Sequence, residues 1–243
     1  MNDNLKLSLV IPCFNESENL STLLDKCYLL SKKINLELII VNNGSQDNSS
    51  AVLKRIQNKN NFFRILEIKK NLGYGHGIYS GLKQASGDII GWTHADLQTS
   101  PLDLIEGVNL FSCNKSPENL FIKGNRFGRN FFDSFFTFGM SIFESILFKS
   151  YVYDVNAQPT IFHSNFLKYW DNPPEDFSLD LYAYILAKKT NKKIHRFPVL
   201  FDKRLHGFSS WNRGLKDKFK FIKRTISYSF KLKIRIHNEH NST

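Results

Sequence analysis

The chain has 243 residues, 42% hydrophobic and 23% charged, a globular balance that excludes a disordered or low-complexity protein. Its three cysteines, Cys13, Cys27 and Cys113, show no CxxC spacing, which excludes a disulfide framework or cysteine zinc site and suits a reducing compartment. The net charge of +11 is concentrated in a tail, where Lys203 to His237 carries eleven Lys or Arg against one acid, Asp217.

Leu5 to Pro12 is an apolar run with the pattern of a strand buried on both faces. Asn15 and Glu18 follow at capping-box spacing, ahead of a helical face made of Leu20, Leu23, Leu24 and Cys27. Leu36 to Val41 is a second predicted strand, and Ser45 or Asp47 can cap a helix carrying Ala51, Val52, Leu53 and Ile56. Phe63 to Ile68 is a third strand. The glycine-spaced loop Asn71-Leu72-Gly73-Tyr74-Gly75-His76-Gly77 then leads into a helix ending near Ala85, and Ile89 to Trp92 is a fourth strand. Strand and helix alternating at this spacing imply an α/β, doubly wound, mostly parallel sheet with helices on both faces.

After Pro101 the rhythm loosens. The pattern predicts a helix, a short strand at Leu120 to Lys123, a strand near Thr160 to Phe162 and a helix from about Leu179 to Lys189. Phe131 to Phe148 holds seven phenylalanines; Asp133 and Glu144 interrupt it as a membrane span, and it reads as a buried helix in preference to a membrane-dipping or lipid-binding element. Met1-Asn2-Asp3-Asn4 lacks the basic-then-apolar start of a signal peptide. In the tail, Leu215, Phe219, Ile222, Ile226 and Phe230 recur at helical spacing among lysines and arginines. Such a helix lies on an anionic membrane surface or packs on the domain with a solvated basic face. Lys231 to Ile236 alternates charged and apolar residues, which predicts that the helix does not continue unchanged. No nucleic-acid module is recognisable, so nucleic acid is not an expected partner.

The chemistry gathers after the fourth strand, in Thr93-His94-Ala95-Asp96-Leu97-Gln98. Residues two apart on an extended segment point the same way, so His94, Asp96 and Gln98 face one point if the extension continues. That is a divalent-metal corner at the carboxyl end of a parallel sheet, where open α/β folds bind ligands. Upstream, Val41-Asn42-Asn43-Gly44-Ser45 forms a tight polar turn at the end of the second strand, able to face a base or ribose. The glycines before Gly81 suit close approach of backbone amides to an anion, and they suit close helix-to-sheet packing equally well.

Val10 to Glu16, the Val41 to Ser49 turn, the Asn71 to Asp88 segment and Ala95-Asp96-Leu97-Gln98 together resemble the ordered motifs of family 2 glycosyltransferases. The likeness runs from about residue 5 to 211 and is greatest to the polyprenyl-phosphate, dolichyl-phosphate-mannose-synthase-like branch. It implies a GT-A fold over residues 1–211, with a nucleotide-binding half over 1–100, an acceptor half over 101–211 and a basic helical tail over 212–243. It further implies a nucleotide-sugar donor, Mn²⁺ or Mg²⁺, and inversion at the anomeric carbon. Residue by residue, Pro12, Phe14 and Glu16 would line the nucleobase and ribose site together with Val41, Asn43 and Ala95. His94 stands at the first carboxylate of the metal motif, with Asp96 and Gln98 at the remaining ligands. Arg126 resembles an arginine that meets phosphate, and Arg204 opens an Arg-x-x-Gly-x-Ser loop ending at Ser209. Asp180 falls where the family carries an acidic residue; it is the candidate base for a sugar-hydroxyl acceptor, whereas an ionised lipid phosphate needs none.

Departures from the family pattern are local. Asn42-Asn43 replaces an Asp-Asp pair, His94 replaces a carboxylate, and Tyr74 and Ser210 stand where lysines are frequent. The expected partners are a nucleotide sugar, a lipid-linked acceptor (saccharide or polyprenyl phosphate) and an anionic membrane surface met by residues 212–236. The expected location is cytoplasmic, peripheral on the inner face of the plasma membrane. A non-catalytic relative and a nucleotidyltransferase are the rival readings, and the absence of a basic glycine-rich loop in Pro12 to Ser17 speaks against the second.

Overall fold

The computed structural model describes residues 5–206 and 215–241. One seven-stranded sheet organises the chain, in the order β3-β2-β1-β4-β6-β5-β7. Its strands are β1 (Leu7–Cys13), β2 (Leu36–Asn43), β3 (Phe63–Ile68), β4 (Ile89–Trp92), β5 (Leu120–Phe127), β6 (Thr160–His163) and β7 (Lys193–Leu200). β1 to β4 pair in parallel, β6 runs antiparallel to both β4 and β5, and β7 is parallel to β5. The helices are α1 (Leu20–Ser31), α2 (Ser49–Lys59), α3 (Tyr74–Leu82), α4 (Leu104–Ser112), α5 (Phe131–Phe148), α6 (Leu179–Lys189) and α7 (Leu215–Asn241).

The apolar runs of β1 and β2 follow from burial on two sides. Leu7, Leu9, Ile11, Leu38 and Ile40 join Leu20, Leu23 and Leu53 of α1 and α2 in one core. Alternate residues Val10, Ile39 and Val41 join Ile78, Trp92 and α6 in the other. Gly91 of β4 lies so near the Thr160 carbonyl that a Cβ there has no room, which fixes the β4–β6 approach.

Several local expectations change. The α1 helix begins at Leu20 with Asn19 at its N-cap; Asn15 adopts φ 57° and bonds across to the next loop instead. The β7 strand is absent from the sequence prediction, because Lys193, His195, Arg196 and Pro198 mask its apolar positions, as an edge strand permits. α5 is a helix with the expected bounds, yet Phe131, Phe135, Phe138, Ile142 and Ile146 all stand exposed on one face rather than buried. α7 continues unbroken through Lys231–Ile236: Leu232 docks in the second core and Arg235 pairs with Asp171 at 2.7 Å. Among the described residues, no helix is long and apolar enough to cross a membrane.

Candidate active site

The carboxyl ends of β1, β2 and β4 open on the same end of the sheet as the start of β6, because Trp92 pairs with Thr160. The first two loops are knitted together there. The amides of Asn15, Glu16 and Ser17 donate to Ser45 Oγ, Ser49 Oγ and Asp47 Oδ2, each at 3.1 Å. An open cleft of about 370 Å³ lies between them, lined by residues 15–19 with Gln46 and Asp47. Pro12 is partly buried, Phe14 is exposed at the rim, and Val41 and Ala95 are buried beneath.

The Asn pair ends β2 with separate tasks. Asn42 donates to Glu67 at 2.7 Å and its oxygen accepts from the Ser45 amide. Asn43 donates to the Gly73 carbonyl at 2.9 Å, while its own buried Oδ1 has no hydrogen-bond partner among the described residues. An unpaired buried acceptor is costly, so that oxygen is available to a donor on a ligand. Gly44 follows at φ +73°, a left-handed turn that a side chain would strain.

After β4, Thr93 to Gln98 does not stay extended. Leu97 takes φ 59°, and the Gln98 amide turns back onto Asp96 Oδ1 at 3.2 Å. Gln98 consequently points its carboxamide nitrogen at the Asp202 carbonyl, 3.2 Å away, so the expected three-residue alternation is broken after Asp96. His94 and Asp96 do lie together, with Nδ1 3.9 Å from Oδ2. Arg204 bridges this corner to the first loop, donating to Asp96 Oδ2 at 2.8 Å and to Glu16 Oε1 at 3.4 Å. Burial raises the Glu16 pKa despite the opposing pull of Asn19 and Arg204. Burial also lowers that of His94, keeping its ring neutral and its lone pair available at neutral pH. Among the described residues no three His, Cys, Asp or Glu side chains form a metal cluster. An imidazole nitrogen beside a carboxylate oxygen nonetheless suits a divalent first-row ion completed by a ligand's own oxygens. Ser209 and Gly207 lie outside the described residues.

The other predicted residues sit deeper. Asp180 is the second residue of α6, buried, and its Oδ1 accepts from Gln158 Nε2 at 2.8 Å. Lys123 Nζ approaches it to 3.6 Å and donates to Thr160 Oγ1 at 2.6 Å. Burial drives Lys123 down to about 8, an effect that Asp180 partly offsets. Tyr74 closes the chain of contacts: its hydroxyl is 2.8 Å from His94 Nε2 and 3.3 Å from Gln158 Nε2. Arg126 meets Asp154 through its fork, with Arg129 3.8 Å from the same carboxylate. Burial alone would raise Asp154, but Arg126, Arg129 and Arg196 hold it below its usual value. Lys123, Gln158 and Tyr74 were not among the predicted site residues. Of these, Tyr74 left a trace as a departure from the family pattern, and Lys123 as a lone cation ending the apolar run Leu120-Phe121-Ile122.

The sequence model of glycosyl transferase family 2 matches residues 8–149. An undecaprenyl-phosphate 4-deoxy-4-formamido-L-arabinose transferase of Proteus mirabilis (strain HI4320) is 36% identical over 102 residues, 41% of this chain and 31% of that protein. Its counterpart in Yersinia pestis (strain Pestoides F) is 38% identical over 105 residues, with the same coverage of 41% and 31%. The chain thus spans about a third of the length of these curated relatives. Among solved structures, a mannosyltransferase from Pyrobaculum calidifontis in complex with GDP-Man and Mn²⁺ superposes with a TM-score of 0.70 at 18% identity, over 96% of this chain and 65% of that one. Glucosyl-3-phosphoglycerate synthase from Mycobacterium tuberculosis, in complex with Mn²⁺, UDP and glucosyl-3-phosphoglycerate, gives 0.73 at 16% identity, over 96% and 81%. The architecture expected from the sequence, a GT-A fold, is the one observed.

Proposed function

The chain belongs to glycosyl transferase family 2, and from that membership we propose that it transfers a sugar, with inversion, from a nucleotide-sugar donor to a polyprenyl phosphate at a membrane surface. The observation that carries the reading is the Asp96–Arg204–Glu16 bridge, which ties the β4 corner to the cleft between the first two loops. Asn43 Oδ1 and the loop of residues 15–19 would take the nucleoside, and Arg204 would face the diphosphate. His94 and Asp96 would hold Mn²⁺ or Mg²⁺, which would supply positive charge to the leaving diphosphate oxygen. In the transfer, an acceptor oxygen bonds to the anomeric carbon as the carbon–oxygen bond to the diphosphate breaks. The electron pair leaves with the diphosphate, where Arg204 adds fixed positive charge. The Mn²⁺-bearing structural neighbours and the undecaprenyl-phosphate relatives support this assignment.

Asp180 favours the phosphate acceptor over a sugar hydroxyl. Its carboxylate is buried and already engaged by Lys123 and Gln158, a poor state for a base that must take a proton from substrate. A phosphate monoester is already ionised. Membrane contact is supported by the exposed stripe of α5, with Phe131 at 77% and Ile146 at 72% exposure. This helix lies beside α7, whose Phe230 stacks edge-on against Phe143 and whose Lys220, Lys223 and Lys231 are exposed. Apolar side chains flanked by lysines suit the inner, anionic face of a plasma membrane.

The test is a donor panel with Mn²⁺ and undecaprenyl phosphate in detergent, following lipid-linked product. The reading expects one donor to be transferred, and Asp180→Asn to retain turnover within about tenfold at saturating Mn²⁺, because loss of a true base costs about 10²–10⁴. Transfer only to a saccharide hydroxyl, abolished by Asp180→Asn, would refute it.

A further inference from the structure

Two glycines at the start of α3 answer to a close neighbour. A Cβ on Gly73 would collide with the Glu175 carbonyl oxygen, and one on Gly75 with that of Pro174. The His76 amide, in a first turn whose donors the helix itself leaves unpaired, donates to the Glu175 carbonyl at 2.9 Å. Phe177 stacks on the Tyr74 ring with centroids 4.6 Å apart. Residues 174–177 therefore lie directly on the glycine loop. That loop serves both sides of the candidate site: the Gly73 carbonyl accepts from Asn43 at 2.9 Å, and the Tyr74 hydroxyl stands 2.8 Å from His94 Nε2.

The same segment is held from its other side by α7. Arg224, Tyr228, Leu232 and Arg235 recur at helical spacing and share one face of that helix. Arg235 donates to the Asp171 carboxylate and to the Asp171 carbonyl, each at 2.7 Å, and to the Asn172 carbonyl at 3.3 Å. Arg224 Nε lies 3.3 Å from Asp176 Oδ2, and its guanidinium sits 5.4 Å from the centroid of the Phe177 ring. Between the two arginines, Leu232 is buried in the second core. The opposite face of α7 carries Phe219, Lys223, Phe230 and Ile234, all exposed. Resting on the transferase reading above, we infer that Arg224 and Arg235 are positioning residues. They hold residues 171–177 against the glycine loop and so set Asn43 and His94 for the nucleotide and its cation. A lone surface ion pair would contribute little. Arg235, however, makes charge-assisted bonds to a carboxylate and two carbonyls, and Arg224 also covers an aromatic ring. The helix thus uses one face on the site and the other on the membrane, and the coupling is reciprocal: whatever orders α7 favours nucleotide binding.

Two readouts on the full chain test the clamp. Hydrogen–deuterium exchange of metal-free protein follows the His76 amide, whose partner is the Glu175 carbonyl. In the double variant Arg224→Gln/Arg235→Gln that amide should lose protection, while Ile39 and Ile40 of the inner strand β2 keep theirs. Calorimetry with Mn²⁺ and a panel of nucleoside diphosphates should show the affinity lowered by at least about fivefold in the same variant. Phe177→Leu leaves both arginine pairs in place and removes the stack on Tyr74; it should weaken nucleotide binding in the same direction. Wild-type protection at His76, or wild-type nucleotide affinity, in the double arginine variant overturns the inference. An equal loss of protection in β2 marks a general loss of stability and overturns it as well. A wild type that binds no nucleoside diphosphate refutes the transferase reading instead, and exchange at His76 then decides the clamp by itself.

Discussion

Replacing Lys123 by Met removes a cation that is fully buried, 2.6 Å from Thr160 Oγ1 and 3.6 Å from Asp180. The methionine fills similar volume, so the main consequence is electrostatic: Asp180 remains buried with its counter-ion gone. Breaking a buried pair from one side costs about 3–5 kcal/mol. At about 2–4 °C per kcal/mol for a chain of this size, the melting temperature should fall by about 6–20 °C. The double variant Lys123→Met/Asp180→Asn removes both charges of the pair and keeps an oxygen for Gln158. It should recover to within about 2 kcal/mol of wild type, a strongly non-additive pair. Urea denaturation and thermal circular dichroism measure both. A single variant that loses less than about 1 kcal/mol, or a double variant as unstable as the two singles summed, refutes the reasoning.

Two further outcomes follow from the same geometry. Mn²⁺ should support turnover better than Mg²⁺, because His94 offers nitrogen to an ion where Mg²⁺ prefers oxygen; equal rates with both ions contradict this. Exchanging Phe131, Phe135 and Phe138 for Ser together should weaken co-sedimentation with anionic vesicles by at least about 100-fold, since each buried phenylalanine contributes about 1.5–3 kcal/mol. Undiminished co-sedimentation would remove α5 from the membrane contact.

The nucleotide-side half of the sheet was legible in the sequence because Leu9, Ile11, Leu38 and Ile40 alternate with Val10, Ile39 and Val41 into two cores, and a doubly buried strand has few other patterns. The β7 strand was not, since its edge position tolerates charges and Pro198. Helix α5 carries seven phenylalanines, a composition that marks a core; spacing alone could not say that Phe131, Phe135 and Phe138 share an exposed face. At the site, His94 and Asp96 were readable from their place after β4, but the left-handed Leu97 that turns Gln98 aside was not, because leucine rarely takes that conformation. Lys123 and Gln158 reach Asp180 only through the pairing of β5 with β6, a long-range register with no local signature.

The central claim is that the corner of His94 and Asp96, bridged by Arg204, grips a cation and a nucleoside diphosphate together. Calorimetric titration with a panel of nucleoside diphosphates, with Mn²⁺ and with chelator, tests it on wild type and on Asp96→Asn. At least one diphosphate should bind in the presence of Mn²⁺, and its affinity should fall by about tenfold or more both with chelator and in the variant. Binding of none, or binding indifferent to the ion and to Asp96, contradicts the account.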